Sequence, residues 1–250
     1  MVSILECQPR TYRAYHDDGR FCSFRVTVET SDLYVKALKR LDRETERLVR
    51  DCRGQIKEAI VRRPEFLTSL SPLDEDPKDS PVVVSMIRAG RKAGTGPMAA
   101  VAGAVAEFVG RALLELSPEI IIENGGDIFA RIRGPLTCGI FAGNSPFSQR
   151  LGIRISDSLL PVSVCTSSGS VGPSRSFGRA DAAVVFSNSA SLADAVATAM
   201  GNRIGCHRDL REAVEWAMSI KGVKGAVGVL HDQMAALGDL ELVPIQSETG

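Results

Sequence analysis

Between Arg20 and Thr30 apolar and polar positions alternate, with Cys22, Phe24, Val26 and Val28 set against Ser23, Arg25 and Thr27. This two-residue period predicts a strand with one buried face. A shorter strand is expected from Arg10 to Tyr15, and His16-Asp-Asp-Gly19 between the two predicts a hairpin. From Asp32 to Arg63 the period lengthens: Leu38, Leu41, Leu48, Val49, Cys52, Ile56 and Ile60 recur at helical spacing, with a break expected near Gly54 and a stop at Pro64. Ser71 to Ser80, rich in Pro, Asp and Glu, reads as a solvent loop, after which Ser80-Pro81 supplies a cap and a first-turn proline for a helix to about Ala93. Pro97 to Leu116 is apolar nearly all round. Ala99, Ala102, Gly103, Ala106 and Gly110 are small, and Glu107, Arg111 and Glu115 form its polar stripe, so this helix is expected to be buried and closely packed.

Strands are predicted at about Glu119 to Glu123, Ile128 to Arg133, Thr137 to Phe141, Leu151 to Ile155, Val162 to Cys165 and Asp181 to Ser187. A helix around Asp194 follows, then one from Asp209 to Met218, and a closing hairpin of Gly225 to Leu230 with Leu240 to Pro244. Strand runs interleaved with helices and short turns predict an α+β fold: packed helices layered on a mixed or antiparallel sheet. No repeat or break in composition divides the chain, so one domain is expected over residues 1–250.

Thirty basic and thirty acidic residues cancel, and nine Phe, three Tyr and one Trp are too few to advertise base stacking. No nucleic-acid partner is expected. Met1 to Thr11 carries Glu6, Pro9 and Arg10 among few apolar residues, and no apolar run approaches a membrane span, so the chain is expected to be cytoplasmic with no membrane partner. Its six cysteines are far apart, with no Cys-x-x-Cys pair, as expected of reduced thiols. Cys206 and His207 are adjacent, a poor spacing for a structural zinc.

Candidate chemistry begins with Leu192-Ala-Asp-Ala-Val-Ala-Thr-Ala-Met200, which puts Asp194 and Thr198 on one helical face among small apolar residues. A carboxylate and a hydroxyl so spaced suit a hard cation that takes few protein oxygens together with a substrate phosphate. The competing reading makes Ser191-x-x-Asp194 a helix-start capping box. Gly94-Thr-Gly96-Pro-Met-Ala99 superficially matches a dinucleotide fingerprint, but the segment before it reads as helix, which disfavours a Rossmann site. Ser167 to Arg179 is a polar, glycine-rich loop whose hydroxyls and two guanidiniums, Arg175 and Arg179, suit an anion; a plain surface connector is the alternative. No nucleophile elbow is present, and His16, His207 and His231 lie beside turn or cap residues, where histidines are rarely catalytic.

A second segment, Ile120-Ile-Ile-Glu-Asn124-Gly125-Gly126-Asp127-Ile-Phe129, runs a short strand through paired glycines into another strand. Together with Ala193 to Ala199, it resembles the ApbE-like superfamily, best known for FAD:protein FMN transferases. That family's pattern has a strand ending in Asn-x-Gly-Gly-Glu/Asp and a later helix reading Ala-Asp-Ala-x-x-Thr-Ala. Between them Cys165-Thr166-Ser167-Ser168-Gly169 resembles the family's Ala-Thr-Ser-Gly turn, and the likeness spans about residues 94 to 202. The wording of Gly96 to Gly103 looks like a cytosolic branch of the superfamily.

The resemblance implies an ApbE-like fold and Mg2+ (or Mn2+) held by Asp194, Thr198 and the carbonyl of Ala99. It implies a flavin (FAD or FMN), nucleotide or other anionic small molecule lined by Asn124, Gly125, Gly126, Asp127, Thr166, Ser167, Ser168 and Gly169, and an acceptor protein if transfer occurs. The chain departs from the pattern where the family lysine falls on Ala100, where Tyr-x-x-Asp becomes Ala102-Gly-Ala-Val105, and where the His-x-Ile-x-Asp-Pro segment becomes Arg179-Ala-Asp-Ala-Ala183. These changes rewrite much of the FAD pocket and count against FMN transfer. Three readings follow: a metal-dependent enzyme or binder with unassigned catalytic residues, a non-catalytic flavin or nucleotide binder, and a homo-oligomeric structural protein packed through residues 97–116.

Overall fold

The computed structural model describes residues 19–156, 161–168 and 178–245. The strand expected from Arg20 forms as β1 (Cys22–Val28), but its hairpin partner lies downstream, in β2 (Ser31–Ala37). The turn joins them at Glu29 and Thr30, with Glu29 at φ 53°. The upstream strand at Arg10 to Tyr15 lies outside the described residues. Leu33, Val35 and Ala37 alternate into the core, so the helix expected from Asp32 instead begins as α1 (Asp42–Arg62), and Gly54 passes through it without a break.

A short α2 (Glu65–Thr68) precedes α3 (Pro81–Ala93), which has the predicted bounds with Pro81 in its first turn, although the Ser80 hydroxyl makes no capping hydrogen bond. Gly94 ends α3 in the left-handed region at φ 72°, and a β-carbon on Gly96 would fall 1.7 Å from the Ser69 carbonyl oxygen. Both glycines of the would-be fingerprint are therefore spent on a helix end and a close packing contact. Pro97–Ala100 forms a 3-10 turn that leads into α4 (Val101–Leu113).

The remaining strands are β3 (Ile120–Asn124), β4 (Asp127–Arg131), β5 (Leu136–Gly139), β6 (Leu151–Ile155), β7 (Val162–Ser167) and β8 (Ala182–Ser187). Then come α5 (Ala190–Arg203), α6 (Asp209–Ser219), β9 (Val223–Leu230), β10 (Gln233–Gly238) and β11 (Glu241–Pro244). The closing hairpin is β9 with β10, not β9 with the segment from Leu240. Ala235, Ala236 and Gly238 are weak strand formers, and only the ladder to β9 makes this segment a strand; β11 pairs with β6 instead.

Eight strands form one sheet in the order β1-β2-β3-β4-β7-β8-β9-β10, and β11-β6-β5 form a second. Every registered strand pair is antiparallel. Alternation along β8 shows the layering: Ala183 and Val185 join the core shared with the helices, whereas Ala182, Val184 and Phe186 join a second core with Ile153 and Ile155 of the small sheet. The fold is thus α+β: a helix layer, a long sheet and a short sheet.

The small residues of α4 serve contacts inside the chain. A β-carbon on Gly110 would lie 2.3 Å from the Phe129 ring of β4, and one on Gly103 would lie 2.4 Å from the Ala190 carbonyl oxygen at the start of α5. Among the described residues, no helix is long and apolar enough to cross a membrane.

Candidate functional site

The register gathers the β3–β4 turn, the end of β7 and the start of β8, and the β9–β10 turn at one end of the long sheet. In the β3–β4 turn Gly125 and Gly126 sit at φ 71° and 107°, which only glycine adopts without strain. Gly126 donates its N–H to Glu123 Oε1 at 2.7 Å, and Asn124 Nδ2 donates to the Ala102 carbonyl at 3.0 Å, tying the turn to the first turn of α4. Asp127 accepts from the Thr166 N–H at 3.3 Å, which ties it to β7, and the adjacent Cys165 thiol donates to the Ala190 carbonyl at 3.4 Å.

Helices α4 and α5 cap one another. Glu107 of α4 accepts from the Ala190 N–H at 2.7 Å and the Ser189 hydroxyl at 3.3 Å, and Arg111 lies 2.8 Å from its other oxygen. In return Asp194 of α5 accepts from the Gly103 N–H at 2.9 Å and from the Ala102 N–H. Ser189, not Ser191, is the N-cap of α5, so the capping-box reading of Asp194 fails: this carboxylate caps α4, not its own helix.

Along α5, Asp194, Thr198 and Asn202 are half-buried and Arg203 is exposed, while the remaining positions are buried. The first three succeed one another by one helical turn and form a stripe. The Thr198 hydroxyl makes no hydrogen bond among the described residues. Gly103, the helical partner of the Ala99 carbonyl, turns its N–H to Asp194, which leaves acceptor capacity on that carbonyl. A carboxylate, a free hydroxyl and a carbonyl are the oxygen donors a hard cation takes, with its remaining positions left to a ligand. Among the described residues no three His, Cys, Asp or Glu side chains gather as a metal-ligand set, so the corner suits a cation shared with a phosphate better than a closed structural site.

Burial pushes the Asp194 carboxyl up to about 7, against the two N–H groups of Gly103 and Ala102 that lower it. Asp127 is held well above the ordinary carboxylate range, first by burial and then by the charge of Asp194, with the Cys165 thiol and Thr166 N–H acting the other way. Burial likewise raises the Cys165 thiol well above its usual range. No cationic side chain contributes to either carboxylate's shift. The corner is therefore a concentration of oxygen ligands short of positive charge.

Thr166, Ser167 and Ser168 are half-buried at the end of β7, and Ser167 Oγ lies 3.7 Å from where a β-carbon on Gly201 would stand. Gly169 and Arg175 lie outside the described residues. Arg179 lines a cleft of ≈ 480 Å³ with His207, Arg208 and His231. Ala100, at the position of the family lysine, is fully buried in the 3-10 turn. Glu107 was read from the sequence as part of a polar stripe, and nothing local distinguishes it from Arg111 or Glu115; its capping role depends on α5.

The antiparallel long sheet backed by helices is a fold shared with solved flavin transferases. The flavin transferase ApbE of Vibrio cholerae matches with a TM-score of 0.58 at 12% identity, over 88% of this chain and 97% of that one. The apo flavinyl transferase ApbE of Pseudomonas stutzeri matches with a TM-score of 0.55 at 13% identity, over 87% and 94%. The chain belongs to the bacterial AbpE family, whose model matches residues 13–233. It is also similar to UPF0280 proteins of archaea: that of Methanocella arvoryzae is 45% identical over 190 residues (75% of this chain, 77% of that protein). That of Methanocaldococcus jannaschii is 37% identical over 227 residues (88% and 92%).

Proposed function

We propose that the chain holds Mg2+ or Mn2+ at the α5 corner and binds there a flavin- or nucleotide-type anionic small molecule. Asp194, Thr198 and the Ala99 carbonyl are the cation ligands, and Asn124, Gly125, Gly126, Asp127 and Thr166 to Ser168 border the small molecule. The observation that carries this reading is the Thr198 hydroxyl, half-buried and without a hydrogen bond among the described residues, one turn beyond a carboxylate in a helix otherwise almost wholly buried. A divalent cation there would neutralise charge on the ligand's phosphate oxygens.

The chain's own residues do the rest. The Gly103 and Ala102 N–H groups aim Asp194, Glu107 fixes the start of α5 that carries it, and the glycine turn lets backbone approach the ligand closely. The fold shared with flavin transferases supports the flavin class of ligand. Ala100 gives the corner no cationic side chain, which supports binding without FMN transfer at a transferase's rate, since loss of one charge-stabilising group commonly costs about a hundredfold. A cytoplasmic setting suits cysteines that are all free among the described residues.

Thermal melts with Mg2+ or Mn2+ test the corner: the cation should raise the Tm of the wild type by mass action, and Asp194→Asn should abolish the rise. An undiminished rise in the variant removes Asp194 as a ligand. Incubation with FAD, Mg2+ and a flavinylation-competent acceptor tests the second part. Covalent fluorescent flavin on the acceptor at ordinary enzyme turnover would restore transfer as the activity.

A further inference from the structure

The far end of α5 builds a second, oppositely charged cavity. Ile204, just beyond the helix, accepts the Arg179 N–H at 2.8 Å, which sets the segment entering β8 against the end of α5. The chain then turns through Gly205, Cys206, His207 and Arg208 into α6, and Asp209 Oδ2 holds that turn by accepting the Gly205 and Cys206 N–H groups, each at 2.8 Å. The opposite wall is the β9–β10 turn. There His231 donates its N–H to Asp181 Oδ2 at 2.5 Å, accepts from Ser145 Oγ at 2.6 Å through its carbonyl, and places Nδ1 3.5 Å from Asp181. The His207 and His231 rings meet edge to face, 5.7 Å between centroids.

The charge of the cleft is one-sided. Two guanidiniums and two imidazoles line it together with Cys206 and Leu230, and among the described residues no carboxylate does. Asp181 and Asp209 stand behind the walls with oxygens committed to backbone N–H groups. Arg25, Arg40, Arg50, Arg53, Arg63, Arg88, Arg111 and Arg211 each bond a carboxylate. Arg179 and Arg208 make no side-chain hydrogen bond or ion pair among the described residues. His231 is held at φ 52°, in a hairpin turn where Asn or Gly is the ordinary choice. Strain of this kind persists where the surroundings over-determine it, as the three contacts on His231 do.

We propose that this cleft is a binding site for a phosphate group, gripped by the guanidinium forks of Arg179 and Arg208 and flanked by the His207 and His231 imidazoles. Planar guanidinium forks match the paired oxygens of a multiply charged oxyanion, and imidazole nitrogens add donors beside them. A metal ion fits the cleft poorly, since the two guanidiniums that line it would repel one. The site is separate from the α5 corner: Asp194 and Ile204 lie ten residues apart in sequence, roughly 15 Å at the helical rise. The proposal does not depend on a cation at that corner. The phosphate belongs either to a separate molecule or to the far end of an extended nucleotide held at the corner, and the arms of the experiment separate these sources.

Calorimetric titration with inorganic pyrophosphate, without divalent cation and at low ionic strength, tests the site. The wild type should bind, the double variant Arg179→Ala/Arg208→Ala should bind at least tenfold more weakly, and Asp194→Asn should bind within twofold of the wild type. Arg179→Lys/Arg208→Lys, which keeps the charge and removes the forks, should fall in between and covers the case where the alanine pair does not fold. A second readout comes from Cys206 in the cleft wall: pyrophosphate should slow its alkylation by a neutral reagent, followed on the Cys206 peptide by mass spectrometry, in the wild type and in Asp194→Asn alike. Adding NADP+, whose ribose phosphate stands apart from its diphosphate, with and without Mg2+ then distinguishes the sources, since cleft protection that requires Mg2+ marks one ligand spanning both sites. Unchanged affinity in both arginine variants, no protection of Cys206, or equal loss of pyrophosphate binding in Asp194→Asn would each overturn the proposal.

Discussion

The two ends of α5 differ in sign and in how much the fold depends on them. Near its start, Asp194 with Asp127 and Glu107 forms a set of largely buried carboxylates that backbone N–H groups hold in place. Beyond its end, Arg179 and Arg208 are exposed guanidiniums that bond nothing among the described residues, and the carboxylates nearby are spent on the walls. The first group would be needed even in a chain that bound nothing, because it caps two helices. The second bonds nothing among the described residues, so its placement side by side with two imidazoles points to a ligand more directly. Substitutions at the corner therefore mix stability with binding, while substitutions in the cleft separate them.

The largest effect is expected from breaking the corner outright. Gly103→Val would drive a branched side chain into the Ala190 carbonyl and the Asp194 β-carbon, which a β-carbon alone would meet at 2.4 and 2.9 Å. Urea denaturation should show a loss of about 2–4 kcal/mol. The divalent-cation rise in Tm should vanish, while protein that remains folded still binds pyrophosphate in the cleft. Glu107→Ala comes next, at about 1–2 kcal/mol, because it removes the acceptor of the Ala190 N–H and leaves Ser189 as the remaining cap. Stability within error of wild type in either variant would contradict the mutual capping of α4 and α5.

Much of this corner was legible in sequence, and the reason it was is periodicity. Asp194 and Thr198 are four apart in a run of alanines, and Gly125-Gly126 demands a tight turn whatever surrounds it. Helix α3 was bounded by its own Pro81 and Gly94. What escaped depended on partners distant in the chain. β2 read as helix until its pairing with β1 and β3 was known, and β10 is too rich in alanine and glycine to declare itself without β9. The cleft was missed for the same reason: His207 and His231 each look like an ordinary turn histidine, and only the β9–β10 turn, lying against the segment after α5, brings their rings together.

Within the corner, binding separates from folding at two positions. Thr198→Val removes a hydroxyl that bonds nothing among the described residues, so stability should change by less than about 0.5 kcal/mol, while the Mg2+ concentration needed for half the Tm rise increases about tenfold or more. Asp194→Asn should cost about 1 kcal/mol or less: the amide oxygen can still accept one N–H of α4, and a carboxyl already pushed up to about 7 by burial gains from losing its charge. A large loss of stability without loss of the Mg2+ response would make Asp194 a cap and nothing more.

The smallest change in stability is expected at His231, and it is the sharpest test of the contrast between the two ends. His231→Asn keeps a residue that tolerates φ 52° and keeps the backbone bonds to Asp181 and Ser145, so chemical denaturation should move by less than about 0.5 kcal/mol. The ring beside His207 is lost, along with the Nδ1 approach to Asp181. Pyrophosphate affinity should therefore fall severalfold at nearly constant stability, and the cation response at the corner should be untouched. Affinity that stays put while stability drops would mean that His231 serves the β9–β10 turn, and that the two arginines alone hold the phosphate.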